Sequence, residues 1–236
     1  MIPKVIHQLW LGPKPPPSQW MDSWRNLNPN WQYIFWDASR LREYFPNGLR
    51  NQEQFDDIRE WCGKCDVARI EILNAFGGLF IDADSICLRP LDDYLLENDS
   101  FSCYENEFAC GQLVACGYLA STVGNSLMEL MMEEIGRLDI PKILNTPLTS
   151  AWDTSHQAWQ ITGGALLTKS IFQNKYSAIS IYPSYYFIPE HYSGHVYSGK
   201  GKPYCRQLWA STVGSKYYGY VSPDSKTSCA PNFPTY

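Results

Sequence analysis

Asp82 and Asp84 stand two residues apart at the end of the apolar run Leu79-Phe80-Ile81. In an extended chain, residues at that spacing face the same side. Two carboxylates on one side of a buried strand end repel each other and lose hydration. A divalent cation is the simplest agent that makes such a pair favourable, and oxygen ligands select Mg2+ or Mn2+. Upstream, Asp66 and Arg69 are three apart and share a helix face. They form either a plain intrahelical ion pair or a second pair of groups leaning toward Asp82 and Asp84. Spacing alone does not choose between the two.

The elements that must position these groups are readable. Residues 66–76 contain no proline or glycine and predict a helix. Gly77-Gly78 supplies a left-handed stop, and residues 79–81 read as a buried strand. Before them, residues 5–10 predict a strand, 21–27 one or two helical turns, and 31–36 a second strand. This strand-helix-strand opening suits the nucleotide-binding half of a doubly wound sheet, although no G-x-G-x-x-G is present. Helices are expected over 39–44 and 52–61, and strands over 100–105 and 113–120. Residues 126–138 form an amphipathic helix pattern with Leu127, Leu130, Met131 and Ile135 on one side. Thr162-Gly163-Gly164 reads as a loop opening a helix, where backbone N–H groups approach an anion. A strand is expected over 178–182. The tyrosine-rich residues 185–204 read as a long flexible lid or acceptor surface. The chain divides into a domain over 1–221 and a loose Pro/Ser tail over 222–236.

A chain of 236 residues suits one α/β domain with a sizeable core. Its net charge of −5 argues against a nucleic-acid partner. No apolar run reaches the length of a membrane span, and Met1-Ile2-Pro3-Lys4 opens no signal-peptide core. Cys62 and Cys65 make one C-x-x-C, but no second pair of that spacing completes a zinc site. Several of the other cysteines sit in apolar runs as small core residues. Together these features give a soluble protein of a reducing compartment, cytoplasmic in the simplest reading.

The stretch from Asp66 to Asp84 resembles the DXD-containing sugar transferases of glycosyltransferase family 32. That family includes yeast initiating mannosyltransferases and bacterial capsule enzymes. More distant kin are the glucosylating domains of large clostridial toxins. The matched positions are Asp66, Arg69, Gly77, Gly78, Phe80, Ile81, Asp82 and Asp84, with Phe80 where the family often has Tyr. A second signature, Ile-Pro-Lys-x-Ile-His-Gln-x-Trp-x-Gly, is matched from Ile2 to Gly12. Thr162-Gly163-Gly164 resembles the family's Thr-Gly-Pro loop, with Gly164 in place of proline. The family closes with His-His-Trp-x-x-Ser-Trp. The nearest match, Gln207-Leu208-Trp209-Ala210-Ser211-Thr212, lacks the histidines and the second Trp.

The resemblance implies a single GT-A-type α/β domain, with a Rossmann-like nucleotide-binding half and a mixed sheet flanked by helices. It implies transfer from a nucleotide-diphosphate sugar, UDP-sugar first and GDP-mannose second, to a glycan or glycoprotein acceptor, with retention of configuration and Mn2+ or Mg2+ as cofactor. The catalytic set it points to is Asp66, Arg69, Asp82 and Asp84. The donor would meet Gln8, Leu9, Trp10 (stacking on the base), Asp66, Arg69, Phe80, Asp82, Ala83 and Gly163. The metal would meet Asp84 directly, Asp82 through water, and Ser211. Asp153, His156, Glu105 and Glu107 are further candidates for sugar contact or plain surface polarity. His7 reads as a hydrogen-bonded interior histidine. Two other readings stay open. Phe80-Ile81-Asp82-Ala83-Asp84-Ser85 also resembles the nucleophile strand of haloacid-dehalogenase phosphohydrolases, and a non-catalytic nucleotide-sugar or glycan-binding module fits the same residues.

Overall fold

The computed structural model describes residues 1–151, 153–197 and 200–210. Among these, β1 (Val5–Leu9), β2 (Gln32–Trp36), β3 (Gly78–Ile81), β5 (Ser100–Cys103), β6 (Tyr118–Ser121) and β7 (Ser180–Tyr182) form a mixed sheet ordered β2-β1-β3-β6-β5-β7. β1 lies between β2 and β3, parallel to both, while β6 runs antiparallel to β3 and β5. A second, two-stranded sheet pairs β4 (Ser85–Cys87) with β8 (Cys205–Gln207).

Side-chain alternation gives the main sheet two apolar faces. Phe80 and Leu119 enter one core with Trp36, Val67, Ile70, Leu73, Leu127, Met131 and Leu167. Their neighbours Leu79, Ile81, Tyr118 and Ala120 enter the other, with Trp24, Phe101, Phe187 and Tyr204. The first core is covered by α4 (Trp61–Phe76), α5 (Ser126–Gly136) and α8 (Gly164–Gln173), with α2 (Ala38–Tyr44), α3 (Gln52–Asp57), α6 (Ile140–Asn145) and α7 (Ala158–Ile161) around them. On the other face, α1 (Ser18–Leu27) contributes Trp24.

The glycine stop forms as the sequence suggests. Gly77 (φ +61°) ends α4 with its N–H on Leu73 O at 2.8 Å, and Gly78 (φ +97°) starts β3. Several expected boundaries move. α4 starts at Trp61, five residues before the uninterrupted run, and takes in Gly63, which packs where a Cβ would collide with Ile58 and Ala158. The expected helix over 52–61 therefore stops at Asp57. The expected strand over 113–120 shortens to Tyr118–Ser121: Val114 makes an isolated antiparallel bridge to Tyr104, Ala115 N–H bonds Cys103 O, and a turn at Cys116-Gly117 separates them from β6. Residues 185–204 are not a loose lid throughout: Phe187 and Tyr204 are fully buried in stacked rings with Tyr118. The buried cysteines are Cys87, Cys103, Cys110, Cys116 and Cys205. No helix among the described residues is long and apolar enough to cross a membrane. The 222–236 tail lies outside the described residues.

His7 joins three elements. Trp36 Nε1 donates to its Nδ1 at 3.0 Å, so Nε2–H donates to Gly77 O at 2.8 Å. Burial lowers its pKa from 6.5 to about 4. The unfolded chain therefore takes up this proton first as pH falls. The stability owed to neutral His7 is complete above about pH 6.5 and disappears toward pH 4, a difference of roughly 3 kcal/mol. Urea melts of wild type and His7→Gln across this range should show the gap between the two proteins closing as pH falls. A constant gap would contradict the assignment.

Candidate active site

Asp82-Ala83-Asp84 is a turn between β3 and β4, not a continuation of the strand. Its backbone is held from behind. Asp82 N–H donates to Gly117 O at 3.0 Å. Asp82 O accepts from Ser85 Oγ at 2.8 Å and from Gln8 Nε2 at 3.3 Å. Ser85 Oγ in turn accepts from Trp24 Nε1 at 3.0 Å, and Gln8 Oε1 from Tyr33 OH at 2.7 Å. The turn thus rests on α1, β1 and β2 through buried hydrogen-bonding groups.

α4 places Asp66 and Arg69 one turn apart beneath this loop. Arg69 Nη2 lies 2.5 Å from Asp82 Oδ1, and Nη1 lies 3.6 Å from Asp66 Oδ1. Its guanidinium also sits 4.7 Å from the Phe80 ring centre. Both helix residues are buried, at 4% and 8% exposure, so the intrahelical pair is also a tertiary clamp. Asp66 is pushed up to about 7 by burial, against the pull of Arg69. Gly117 leaves room for the Asp82 carboxylate, because a Cβ there would collide with Oδ2.

Asp84 is held from the far end of the chain. Gln207 Nε2 donates to Oδ1 at 2.9 Å and Ala210 N–H to Oδ2 at 2.8 Å, while Leu208 N–H donates to its carbonyl at 2.9 Å. Tyr118 OH donates to Gln207 Oε1, which fixes the amide so that its NH2 faces Asp84. Burial and the neighbouring Asp82 charge push Asp84 up to about 6.

Both aspartates open onto one cavity of about 520 Å³. Leu9, Trp10, Asp66, Arg69, Phe80 and Ala83 line it with them. Trp10 is anchored by its Nε1, which donates to Lys14 O at 2.6 Å. Gln8 does not reach the wall: it is fully buried and supports the turn instead. Gly163 is also off the wall, packed where a Cβ would come within 3.0 Å of Asp66 Oδ2. Asp153 folds back on its own loop, accepting from Thr149 N–H and Ser155 N–H, and His156 does not line the cavity. Glu107 accepts from Ser184 N–H at 2.9 Å. Ser211 lies outside the described residues.

Sequence reasoning passed over Gly117 and Trp61, and named Gln207 and Ala210 only within the segment set against the family's closing motif. Trp61 lines the cavity while 51% exposed. An indole at a helix start is a visible signal, but nothing local marks the other three.

Residues 17–101 match the family described as the glycosyltransferase sugar-binding region containing a DXD motif. The chain is similar to the uncharacterised glycosyltransferase L373 of Acanthamoeba polyphaga mimivirus, at 32% identity over 44% of each chain. It is similar to inositol phosphoceramide mannosyltransferase 3 of Schizosaccharomyces pombe, at 33% identity over 40% of this chain and 27% of that one. It therefore spans less than half the length of these curated relatives. Its fold is the GT-A fold of solved glycosyltransferase domains. The PaToxG glycosyltransferase superposes with a TM-score of 0.54 at 13% identity, covering 73% of this chain and 70% of that one. The UDP-bound glycosyltransferase domain of the YGT toxin gives 0.51 at 11% identity, covering 76% and 79%.

Arg69→Met leaves Asp66 and Asp82 without their cation. Equilibrium unfolding at pH 7 should show a loss of about 3–5 kcal/mol. Removing the cation raises the Asp66 pKa further above its unfolded value, so the loss should grow from pH 5 to pH 8. A pH-independent loss would point to packing alone.

Proposed function

We propose that this chain, whose residues 17–101 match the DXD-containing sugar-transferase family, is itself a metal-dependent glycosyltransferase. In this reading it moves a sugar from a nucleotide-diphosphate sugar to a glycan or glycoprotein acceptor, with retention of configuration. A UDP-sugar is the first donor to try and GDP-mannose the second. The observation that carries the reading is the opening of Asp82 and Asp84 into a single cavity with Trp10 and Arg69 on its wall.

The residues fit a hard divalent cation such as Mn2+ or Mg2+. Asp82 and Asp84 offer oxygen donors, and each carboxylate keeps lone pairs beyond its hydrogen bonds to Arg69, Gln207 and Ala210. Burial raises Asp84 and the Asp82 charge adds to it, and a bound cation would offset both. Asp84 would hold it directly and Asp82 through water. When bound, such a cation neutralises the charge that grows on a departing diphosphate.

The chain's own groups do the rest. Trp10 and Trp61 give the cavity two indole surfaces for a nucleobase. Arg69 holds Asp82 in one orientation, so the ligand set needs no reorganisation during the reaction. Asp66 and Asp82 accept hydrogen bonds from sugar hydroxyls. Retention, with the departing phosphate taking the acceptor proton, belongs to the same reading. The phosphohydrolase reading expects its aspartates on the first strand of the sheet, whereas Asp82 follows the third.

Titration of UDP- and GDP-sugars with Mn2+, followed by transfer and donor-hydrolysis assays, tests the proposal. Binding of one donor should require the metal. Asp84→Ala should reduce turnover by at least about 100-fold while circular dichroism stays unchanged. Undiminished turnover in that variant, or no donor binding across the panel, would overturn it.

A further inference from the structure

Glu105, Cys110 and His191 converge on one point in a part of the fold that the cavity does not include. Glu105 and Cys110 belong to the compact loop over 105–113, closed by Glu105 N–H to Leu113 O at 2.8 Å and Cys110 N–H to Asn106 O at 2.8 Å. His191 comes from the segment after the 3-10 turn Ser184–Tyr186. Its Nε2 lies 3.4 Å from Glu105 Oε1 and 3.6 Å from Cys110 Sγ, and the Sγ lies 3.9 Å from the same Oε1.

These separations fit a tetrahedral ion. Zinc–sulfur bonds of about 2.3 Å and zinc–nitrogen or –oxygen bonds of about 2.0 Å put N and O about 3.3 Å apart, and S about 3.5 Å from either. The His191 side chain has no exposure, Cys110 has 3% and the Glu105 side chain 20%. A carboxylate among buried neighbours is well served by a cation. Ser193 Oγ lies 2.6 Å from Nδ1 on the other side of the His191 ring, and accepts from Nδ1–H in the tautomer that leaves the Nε2 lone pair for a metal. Ser193 Oγ continues to His195 Nδ1 at 2.9 Å. An outer partner of this kind orients a metal-bound imidazole. A thiolate, an imidazole and a carboxylate form a softer set than the all-oxygen pair at Asp82 and Asp84, and suit zinc over Mg2+ or Mn2+.

We propose that Glu105, Cys110 and His191 bind Zn2+, with solvent in the fourth position. The ion clips the 105–113 loop to the segment around His191. The Trp209 ring packs edge-on 5.0 Å from His191, and its Nε1 donates to Glu190 O at 3.1 Å. Trp209 immediately precedes Ala210, whose N–H holds Asp84. The clip therefore braces the segment that positions the second aspartate. The inference does not depend on the proposed activity.

The test is zinc content and zinc K-edge absorption of the reduced full chain loaded with Zn2+. One equivalent should survive dialysis, with one sulfur at about 2.3 Å and the remaining ligands at about 2.0 Å. Cys110→Ser should lose the sulfur. Ser193→Ala should keep the ligand set but bind zinc about 10–100-fold more weakly. If Cys110→Ser fails to fold, the wild-type spectrum and Ser193→Ala decide. A shell of oxygen and nitrogen alone, no bound zinc, or a sulfur that persists in Cys110→Ser would each overturn the assignment.

Discussion

The Arg69 guanidinium is the interaction on which the site depends. It joins the middle of a buried helix to the loop after the central strand, with Asp82 on one nitrogen and Asp66 near another. Three acidic groups, Asp66, Asp82 and Asp84, share one wall of a cavity. In a poorly solvated setting their repulsion would favour protonation or opening of the loop. One fixed cation, which cannot lose its proton, pairs with Asp82 and aims it. The raised values of Asp66 and Asp84 come first from burial, with the Asp82 charge adding to both.

The second constraint is closure by the end of the chain. Gln207 reaches Asp84 across 123 residues of sequence. The pairing of β8 with β4 delivers it, and Tyr118 from the main sheet sets the orientation of its amide. Asp84 is consequently held by strands of both sheets, whereas Asp82 is held by a helix. Two adjacent carboxylates thus have independent supports. That arrangement lets each keep its place while one approaches a ligand, at the cost of making the site sensitive to long-range packing.

Much of this was legible in the chain. The run from Asp66 to Asp84 announced a helix, a glycine stop and a buried strand, because helix propensity, left-handed glycine and apolar strand pattern are local properties. His7 read correctly as an interior histidine, although its partners Trp36 and Gly77 were not visible. The expectation that Asp82 and Asp84 share a side because they are extended was physically wrong. They face one cavity because a turn, gripped by Gly117, Ser85 and Gln8, directs them there. The tyrosine-rich stretch looked mobile by composition, yet Phe187 and Tyr204 stack into the core. Composition cannot reveal that a second small sheet will cover those rings.

The amino-acid sequence by itself determined which groups could do chemistry and which local elements carry them, since residue type, spacing and backbone freedom act over a few neighbours. Only the tertiary structure decided that Arg69 clamps Asp82, that Gln207 and the Ala210 N–H hold Asp84, and that Glu105, Cys110 and His191 meet. Those contacts join segments far apart in the chain. Their partners become neighbours only after both faces of the sheet have buried their apolar side chains, and hydrophobic burial leaves no local mark of which distant polar groups it will bring together.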